Sequence, residues 1–202
     1  MKKYVKMFLF VVAAGTFASC TDEGDTNLPP MAHPIYSEDF TREAGQFNFT
    51  TEGWKNIAQT GTETWFKAAF GGNDYIEFSS FGSGESSNIG WAITPGINID
   101  SASQKRLIFQ SAQHHATSLE NKFELLVSTD FDGTNLTTAN WTTLNFRLPE
   151  YTNGTNYDFV NSGPVDLSAY SGVVYIAFRV TGDGTFNSDL DGGFQVDNIK
   201  IF

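Results

Sequence analysis

Two segments near the C-terminal end of the chain constrain its fold most. Residues 173–180 have the sequence Val-Val-Tyr-Ile-Ala-Phe-Arg-Val, a run of β-branched and aromatic side chains typical of a β-strand. The first half of this run is apolar on both faces, which favours a strand in the middle of a sheet. Phe194–Phe202 is a second such segment, and it follows a polar loop with Asp-Gly turns. The chain is therefore expected to fold around these two strands.

The second segment contains an acidic residue among apolar ones. If Phe194–Phe202 alternates strictly, Asp197 shares one face of the strand with Ile199 and Ile201. A buried carboxylate is costly unless it is paired or binds a metal. The pattern therefore makes Asp197 the most informative acid of the sequence, either as a metal ligand or as an acid that caps a neighbouring backbone.

The first 19 residues are predicted to be a lipoprotein signal peptide. Three lysines precede Met7–Ala14, an apolar stretch that is too short to span a bilayer as a mature helix. Small residues then precede Cys20, the one cysteine of the chain. This arrangement resembles the lipobox of bacterial lipoproteins, which implies that Cys20 is lipidated after cleavage. The alternative is an ordinary secretory signal that leaves a free thiol.

Residues 20–34 are predicted to be the lipidated cysteine and a flexible acidic tether. Acidic residues just after the cysteine resemble the signal that sends lipoproteins to the outer face of the outer membrane. We therefore expect a lipid-anchored protein of the bacterial outer membrane that faces the cell exterior. Removal of residues 1–19 changes the formal charge from −11 to −14, and such an acidic surface disfavours nucleic acid as a partner.

Residues 35–202 are predicted to form one all-β domain, a jelly-roll β-sandwich of two antiparallel sheets. Short strand-like segments with turn signals follow one another, and no stretch has the period of a helix. Nineteen glycines and an aromatic content of 15% fit such a sandwich with long loops. The predicted strands before the C-terminal pair are Ile35–Phe40, Trp65–Ala68, Asp74–Phe78, Trp91–Ile93, Lys105–His115, Phe123–Ser128 and Trp141–Leu148.

An ordered series of motifs carries a family resemblance over residues 36–202. They are Glu38-Asp39-Phe40, Gly53-Trp54, Trp91 to Pro95, Val127 to Gly133, Trp141 to Leu144, Val165 to Tyr170, Tyr175 to Arg179 and Val196 to Ile199. The series resembles the choice-of-anchor J domain, is similar to the cleaved-adhesin domains of bacterial surface proteases, and is more distantly similar to MAM domains. The resemblance implies a galactose-binding-like or MAM-like jelly roll on a surface protein, and it does not imply an enzyme.

The resemblance also implies a structural calcium site. In related sandwiches a calcium ion ties the first strand to the last, and the matching positions here are Glu38, Asp39 and Asp197. Calcium takes 6–8 oxygen ligands, including backbone carbonyls, and would neutralise carboxylates that meet at the two chain ends. The alternative is that Glu38 and Asp39 are solvated and that Asp197 caps a neighbouring backbone.

The sequence shows no catalytic constellation, so no enzyme is predicted. His33 lies in the tether, and His114 and His115 are adjacent, so on a strand they are expected to point in opposite directions and not to act as a pair. A nucleophile elbow, a His-Glu-x-x-His motif and a P-loop are all missing from the sequence. A glycoside hydrolase with an unrecognised pair of carboxylates stays an alternative, because acids are plentiful.

Loop aromatics suggest a binding function. The candidates for ligand contact are Trp65, Tyr75, Tyr151, Tyr157 and Phe186. Aromatic faces stack on sugars, although such residues are also common in cores. We expect a non-catalytic, adhesin-like lipoprotein that binds a glycan or a surface protein. An alternative is an accessory subunit of a surface assembly for glycan capture or adhesion, with no small ligand of its own.

The predicted anchor can be tested directly. Because Cys20 is the one possible acylation site of its type, Cys20→Ala is expected to release the protein from membranes or to block its maturation. Metabolic labelling with a fatty-acid analogue measures this. Equal labelling of the wild type and the variant would show that Cys20 is not the lipidated residue.

Overall fold

The fold is built from thirteen β-strands in two sheets, in a computed structural model that describes residues 32–202. The predicted signal peptide, Cys20 and most of the predicted tether lie outside the described residues. The strands are β1 Tyr36–Glu38, β2 Lys55–Thr60, β3 Phe66–Phe70, β4 Asn73–Phe78, β5 Asn88–Ile93, β6 Ile97–Asn98, β7 Arg106–His114, β8 Lys122–Ser128, β9 Thr142–Leu144, β10 Val160–Asn161, β11 Val165–Asp166, β12 Val173–Gly182 and β13 Gly193–Ile201.

The two sheets are antiparallel throughout. Sheet A has the order β10-β7-β13-β4-β3, with β1 also paired to β13 and β11 to β7. Sheet B has the order β2-β5-β12-β8-β9, with β6 also paired to β12. Residues 32–202 add two 3-10 turns, Ile99–Ser101 and Asn153–Thr155, and contain no α-helix. This confirms the predicted all-β sandwich. In the same part of the chain, no helix is long and apolar enough to cross a membrane.

Strand β12 lies in the middle of sheet B, between β5 and β8, as its two apolar faces predicted. On the inner face, Val174, Ile176, Phe178 and Val180 are fully buried in the main core between the sheets. On the outer face, Ala177 belongs to a second apolar cluster that residues 131–141 cover. Burial on both sides explains why the segment lacks the polar alternation of a half-exposed strand.

Strand β13 does not keep the strict alternation that its sequence suggests. A β-bulge interrupts its pairing with β7 between Asp197 and Lys200, and Asn198 adopts a left-handed conformation with φ of 53°. The extra residue reverses the facing of all later side chains. Ile199 and Ile201 therefore point into the core, whereas Asp197 lies on the outer face of sheet A. The prediction that Asp197 shares a face with the two isoleucines was wrong.

Several strand bounds also differ from the prediction. Strand β2 was missed because Lys55–Thr60 is polar and lies at the edge of sheet B, with a bulge after Ala58. Strand β10 has only two residues and is missing from the predicted strands. The predicted strand Trp141–Leu148 forms ladder pairs over Thr142–Leu144 alone. Short edge strands give little periodic signal, so the sequence pattern could not define them.

The bulge in β13 predicts a specific order of stabilities. Asn198→Gly and Asn198→Val both delete the side-chain amide, but only glycine accepts a positive φ without strain. We expect the valine variant to have a free energy of unfolding about 2 kcal/mol below that of the glycine variant. Urea denaturation of both variants measures the difference. Equal stability would contradict the left-handed conformation of Asn198.

Candidate binding groove

The outer face of sheet A carries a cavity of about 620 Å³. Strands β3, β4, β7 and β13 form its floor, and the loop that connects β9 to β10 forms one wall. The residues that line it are Ala69, Phe70, Asn73, Tyr75, Gln110, Tyr157, Phe159 and Gln195. We call this space the amide cavity, because its polar side chains are mainly the amides of Asn73, Gln110 and Gln195.

Aromatic rings and amides together line the amide cavity. Tyr75 packs on Phe159 with the ring centroids 5.6 Å apart, and Phe70 is 80% exposed at the rim. Burial, with the nearby charge of Glu77, raises the pKa of the Tyr75 phenol, so Tyr75 stays a neutral hydrogen-bonding group at neutral pH. The cavity therefore offers apolar faces together with uncharged donors and acceptors.

Tyr157 is held in place by contacts with β7. Its backbone N–H donates to the carbonyl of Gln113 at 2.7 Å. Its backbone is in the left-handed region, with a φ of 67°. The side-chain amide of Gln113 in turn donates to the carbonyl of Thr152 at 2.8 Å, and the N–H of His115 donates to Oδ1 of Asn156 at 2.8 Å. These bonds fix the loop to the strand, so the half-exposed Tyr157 ring is a rigid wall.

A second cavity of about 670 Å³ adjoins the first on the same face. Its lining residues are Glu63, Phe66, Glu77, Ser79, Phe81, His114, His115, Tyr157 and Asp191, and we call it the acidic cavity. His114 Nε2 lies 3.1 Å from Oε1 of Glu77, and the Gln195 amide donates to Oε2 of Glu77 at 2.7 Å. The Glu77 carboxylate is thus fixed by a partner on each oxygen.

The two adjacent histidines do not point to opposite faces, as the sequence predicted. Strand β7 ends at His114, and His115 turns the chain with a φ of 57°. Their ring centroids are 5.5 Å apart, and both line the acidic cavity. The His114 ring also stacks on Tyr157, with the centroids 5.0 Å apart and an interplanar angle of 14°. The alternation rule failed here because it applies only while the strand continues.

The amide cavity and the acidic cavity together are called the groove. Two of the five aromatics predicted to contact a ligand line it, namely Tyr75 and Tyr157. Phe186 is 94% exposed but lines neither cavity. The sequence analysis did not identify three further residues that line the amide cavity, namely Phe70, Gln110 and Gln195. The signal that could have found Gln110 and Gln195 is their polarity at central positions of two long strands, where apolar residues are the rule.

The remaining two aromatics, Trp65 and Tyr151, pack in or against the core. Trp65 is 1% exposed and packs on Phe78 in the core, with the centroids 5.8 Å apart. Tyr151 packs on Phe194 at 5.6 Å and donates its hydroxyl to the carbonyl of Asn121 at 3.1 Å. Neither ring lines the groove. The prediction that Trp65 contacts a ligand is wrong because its ring is buried in the core, whereas a ligand contact of Tyr151 stays a prediction.

Two of the acids proposed for calcium, Glu38 and Asp39, lie together at the seam between the first and last strands. Strand β1 pairs with β13, with Glu38 opposite Ile199, and Glu38 and Asp39 line a small cavity of about 230 Å³ with Lys200. Glu38 accepts from the backbone N–H of Phe40 at 2.8 Å. Hydrogen bonds from Thr41 lower the pKa of Asp39. Within residues 32–202, no three acidic, histidine or cysteine side chains are grouped so that they could hold a metal.

Asp197 itself is buried, and its nearby charged groups, Asp39 and Asp74, are acidic. Its carboxylate accepts from the backbone N–H of Asn198 at 2.6 Å and from the Asn198 side-chain amide at 2.7 Å, and no ion pair of the described residues includes it. Burial raises the pKa of Asp197 to about 6, and the charges of Asp39 and Asp74 act in the same direction. A cation near Asp197 would relieve this cost.

Comparison with known structures places the fold in a defined class. The K2 cleaved adhesin domain of Lys-gingipain aligns with a TM-score of 0.56 and 17% identity, covering 83% of this chain and 98% of that domain. The K1 domain from Porphyromonas gingivalis W83 aligns with a TM-score of 0.53 and 20% identity, over 83% and 96%. A xylan-binding domain from Paenibacillus barcinonensis aligns more loosely, with a TM-score of 0.44 and 12% identity, over 83% and 98%.

The chain is thus a β-sandwich of the cleaved-adhesin type, which confirms the predicted resemblance at the level of the fold. Residues 43–201 match the model of the family described as "Domain of unknown function (DUF5017)", and the chain belongs to that family. No curated protein matches the chain by sequence. The resemblance to choice-of-anchor J domains in particular stays a prediction.

Proposed function

We propose that this protein is a non-catalytic, adhesin-like binding module of the bacterial cell surface and that it binds glycan in the groove on the outer face of sheet A. The observation that carries the proposal is the amide cavity, where exposed or half-exposed rings stand beside Asn73, Gln110 and Gln195. A sugar ring has apolar C–H faces and a rim of hydroxyls, so it needs flat apolar partners together with donors and acceptors in their plane.

The anchor completes the proposal. Lipidation at Cys20 would hold the domain at the outer membrane, and the acidic residues that follow would direct it to the cell exterior. The flexible tether up to residue 34 would let the groove reach ligands near the surface. This arrangement is supported by the sequence pattern of residues 1–34.

Two alternatives make different predictions. An accessory subunit of a surface assembly would bind a protein partner and no free glycan. A glycoside hydrolase would turn over its ligand, and the groove does contain the carboxylates Glu63, Glu77 and Asp191. Glu77, however, is engaged by His114 and Gln195, which supports a role in shaping the groove. Purified protein is expected to show no turnover of the glycans that it binds.

The proposed site is tested by variants of its exposed rings. A glycan array with the purified protein first selects a ligand, and calorimetry then gives dissociation constants. We expect Tyr157→Ala and Phe70→Ala each to weaken binding about tenfold, since a lost stacking contact costs roughly 1 kcal/mol or more. Phe186→Ala is the matched control, because Phe186 is more exposed than either ring but lines neither cavity.

Two results would contradict the proposed site. An array on which no glycan is bound would contradict glycan as the ligand and favour the accessory-subunit alternative. Binding that depends on Phe186 but not on Tyr157 or Phe70 would move the ligand away from the groove to the loop around residue 186.

We also propose that a structural calcium ion binds at the seam between β1 and β13, with Glu38, Asp39 and Asp197 as candidate ligands together with backbone carbonyls. The support is the buried Asp197, whose carboxylate has two acidic neighbours and no cationic partner among residues 32–202. Bound calcium would supply positive charge to this seam. It would have a structural role only.

The calcium proposal predicts a cation-dependent melting temperature. Calcium at a hundredfold excess over its dissociation constant would stabilise the native state by about 2.7 kcal/mol. The gain should shrink as the pH falls below about 6, where Asp197 becomes protonated, and Asp197→Asn should weaken the gain above that pH. Thermal melts in chelator and in millimolar calcium measure this. Identical melting temperatures of the wild type in both buffers would contradict the site.

A further inference from the structure

The two cavities of the groove adjoin each other on the outer face of sheet A. Tyr157 lines both of them. Gln195 lines the amide cavity and donates its side-chain amide to Glu77 of the acidic cavity at 2.7 Å. Tyr75 and Glu77 stand two residues apart on the outer face of β4, one in each cavity. The Tyr157 ring is therefore a wall that the two cavities share.

The two halves differ in charge. Among the described residues, the lining of the amide cavity contains no charged side chain, whereas the acidic cavity contains Glu63, Glu77 and Asp191. Neither lining includes a lysine or an arginine. With histidine counted as neutral, the acidic cavity carries a formal charge of −3. A ligand that extends through the groove would thus meet neutral amides at one end and carboxylates at the other.

We propose that the two cavities form one continuous groove for an extended oligosaccharide, and that the acidic cavity selects amine-bearing sugars over acidic ones. The inference rests on the proposed glycan-binding function and adds the length and charge of the ligand. Each cavity alone has the volume of a small-molecule site, about 300–1,000 Å³, so the joined groove holds several sugar units.

The preference for amines follows from the way Glu77 is held. His114 and Gln195 fix its two oxygens, so the carboxylate does not have to be ordered when a ligand binds. A protonated amine gains a charge-assisted hydrogen bond from such a carboxylate. A uronic acid would bring a like charge into the same space, with no lysine or arginine in the lining to offset the repulsion.

The inference is tested with β-1,4-linked sugars that share a linkage and differ in one charged or neutral substituent on each unit. The probes are cellohexaose, the hexamer of glucosamine and the hexamer of glucuronic acid, together with the three dimers, titrated into the full-length protein in detergent. We expect the affinity to rise at least tenfold from dimer to hexamer for the neutral and amine series. Among the hexamers, we expect the amine to bind at least tenfold more tightly than the acid.

Three variants test the two cavities and the wall that they share. Glu77→Gln should reduce the ratio between amine and acid hexamers severalfold, because it removes a charge of the acidic cavity. Phe70→Ala is the matched control in the amide cavity, and it should weaken all hexamers without changing that ratio. Tyr157→Ala should abolish most of the gain from dimer to hexamer, because Tyr157 is the wall that both cavities share.

The outcomes distinguish the two proposals. A blank glycan array overturns the proposed function and this inference with it. A positive array with no binding of the three hexamers, equal affinity of dimers and hexamers, or acid hexamers bound as tightly as amine hexamers overturns the inference alone. A ratio that Glu77→Gln leaves unchanged also overturns it, since the charge discrimination would then arise elsewhere.

Discussion

The pairing of β13 in the middle of sheet A is the constraint on which the rest of the structure depends. This strand has β7 on one side and β4 on the other, and β1 pairs with its last residues. Its bulge at Asn198 keeps apolar side chains in the core both before and after the irregularity. The same bulge leaves Gln195 and Asp197 on the outer face. One inserted residue thus serves core packing and gives the outer face its polar side chains.

The groove depends on this strand and on a loop that is tied to its neighbour. Gln195 supplies an amide from β13, and the loop between β9 and β10 supplies Tyr157 as a wall. Gln113 of β7 holds that loop through both its backbone and its side chain. The position of the Tyr157 ring is therefore fixed by the sheet as well as by the loop. Such rigidity reduces the entropy that binding costs, which suits a site that recognises flexible sugar chains.

The sequence predicted the fold class and the position of β12 because both follow from local periodicity. It could not predict the facing of Asp197 or the meeting of His114 and His115, since each depends on a single residue with positive φ. Trp65 was misjudged because it directly follows the polar stretch of residues 60–64 at the start of a predicted strand, whereas tertiary packing buries the ring. The groove itself joins strands distant in sequence, so no local motif describes it.

The central claim is that ligand binds on the outer face of sheet A, and the side-chain amide signals of Gln110 and Gln195 test it most directly. Both amides line the amide cavity, and their NH₂ resonances are distinct in a ¹⁵N-correlated NMR spectrum. Titration with the glycan selected by the array is predicted to shift these two signals together with the backbone signal of Tyr157. Shifts confined to the loop around Phe186, with both glutamine amides unchanged, would contradict the account.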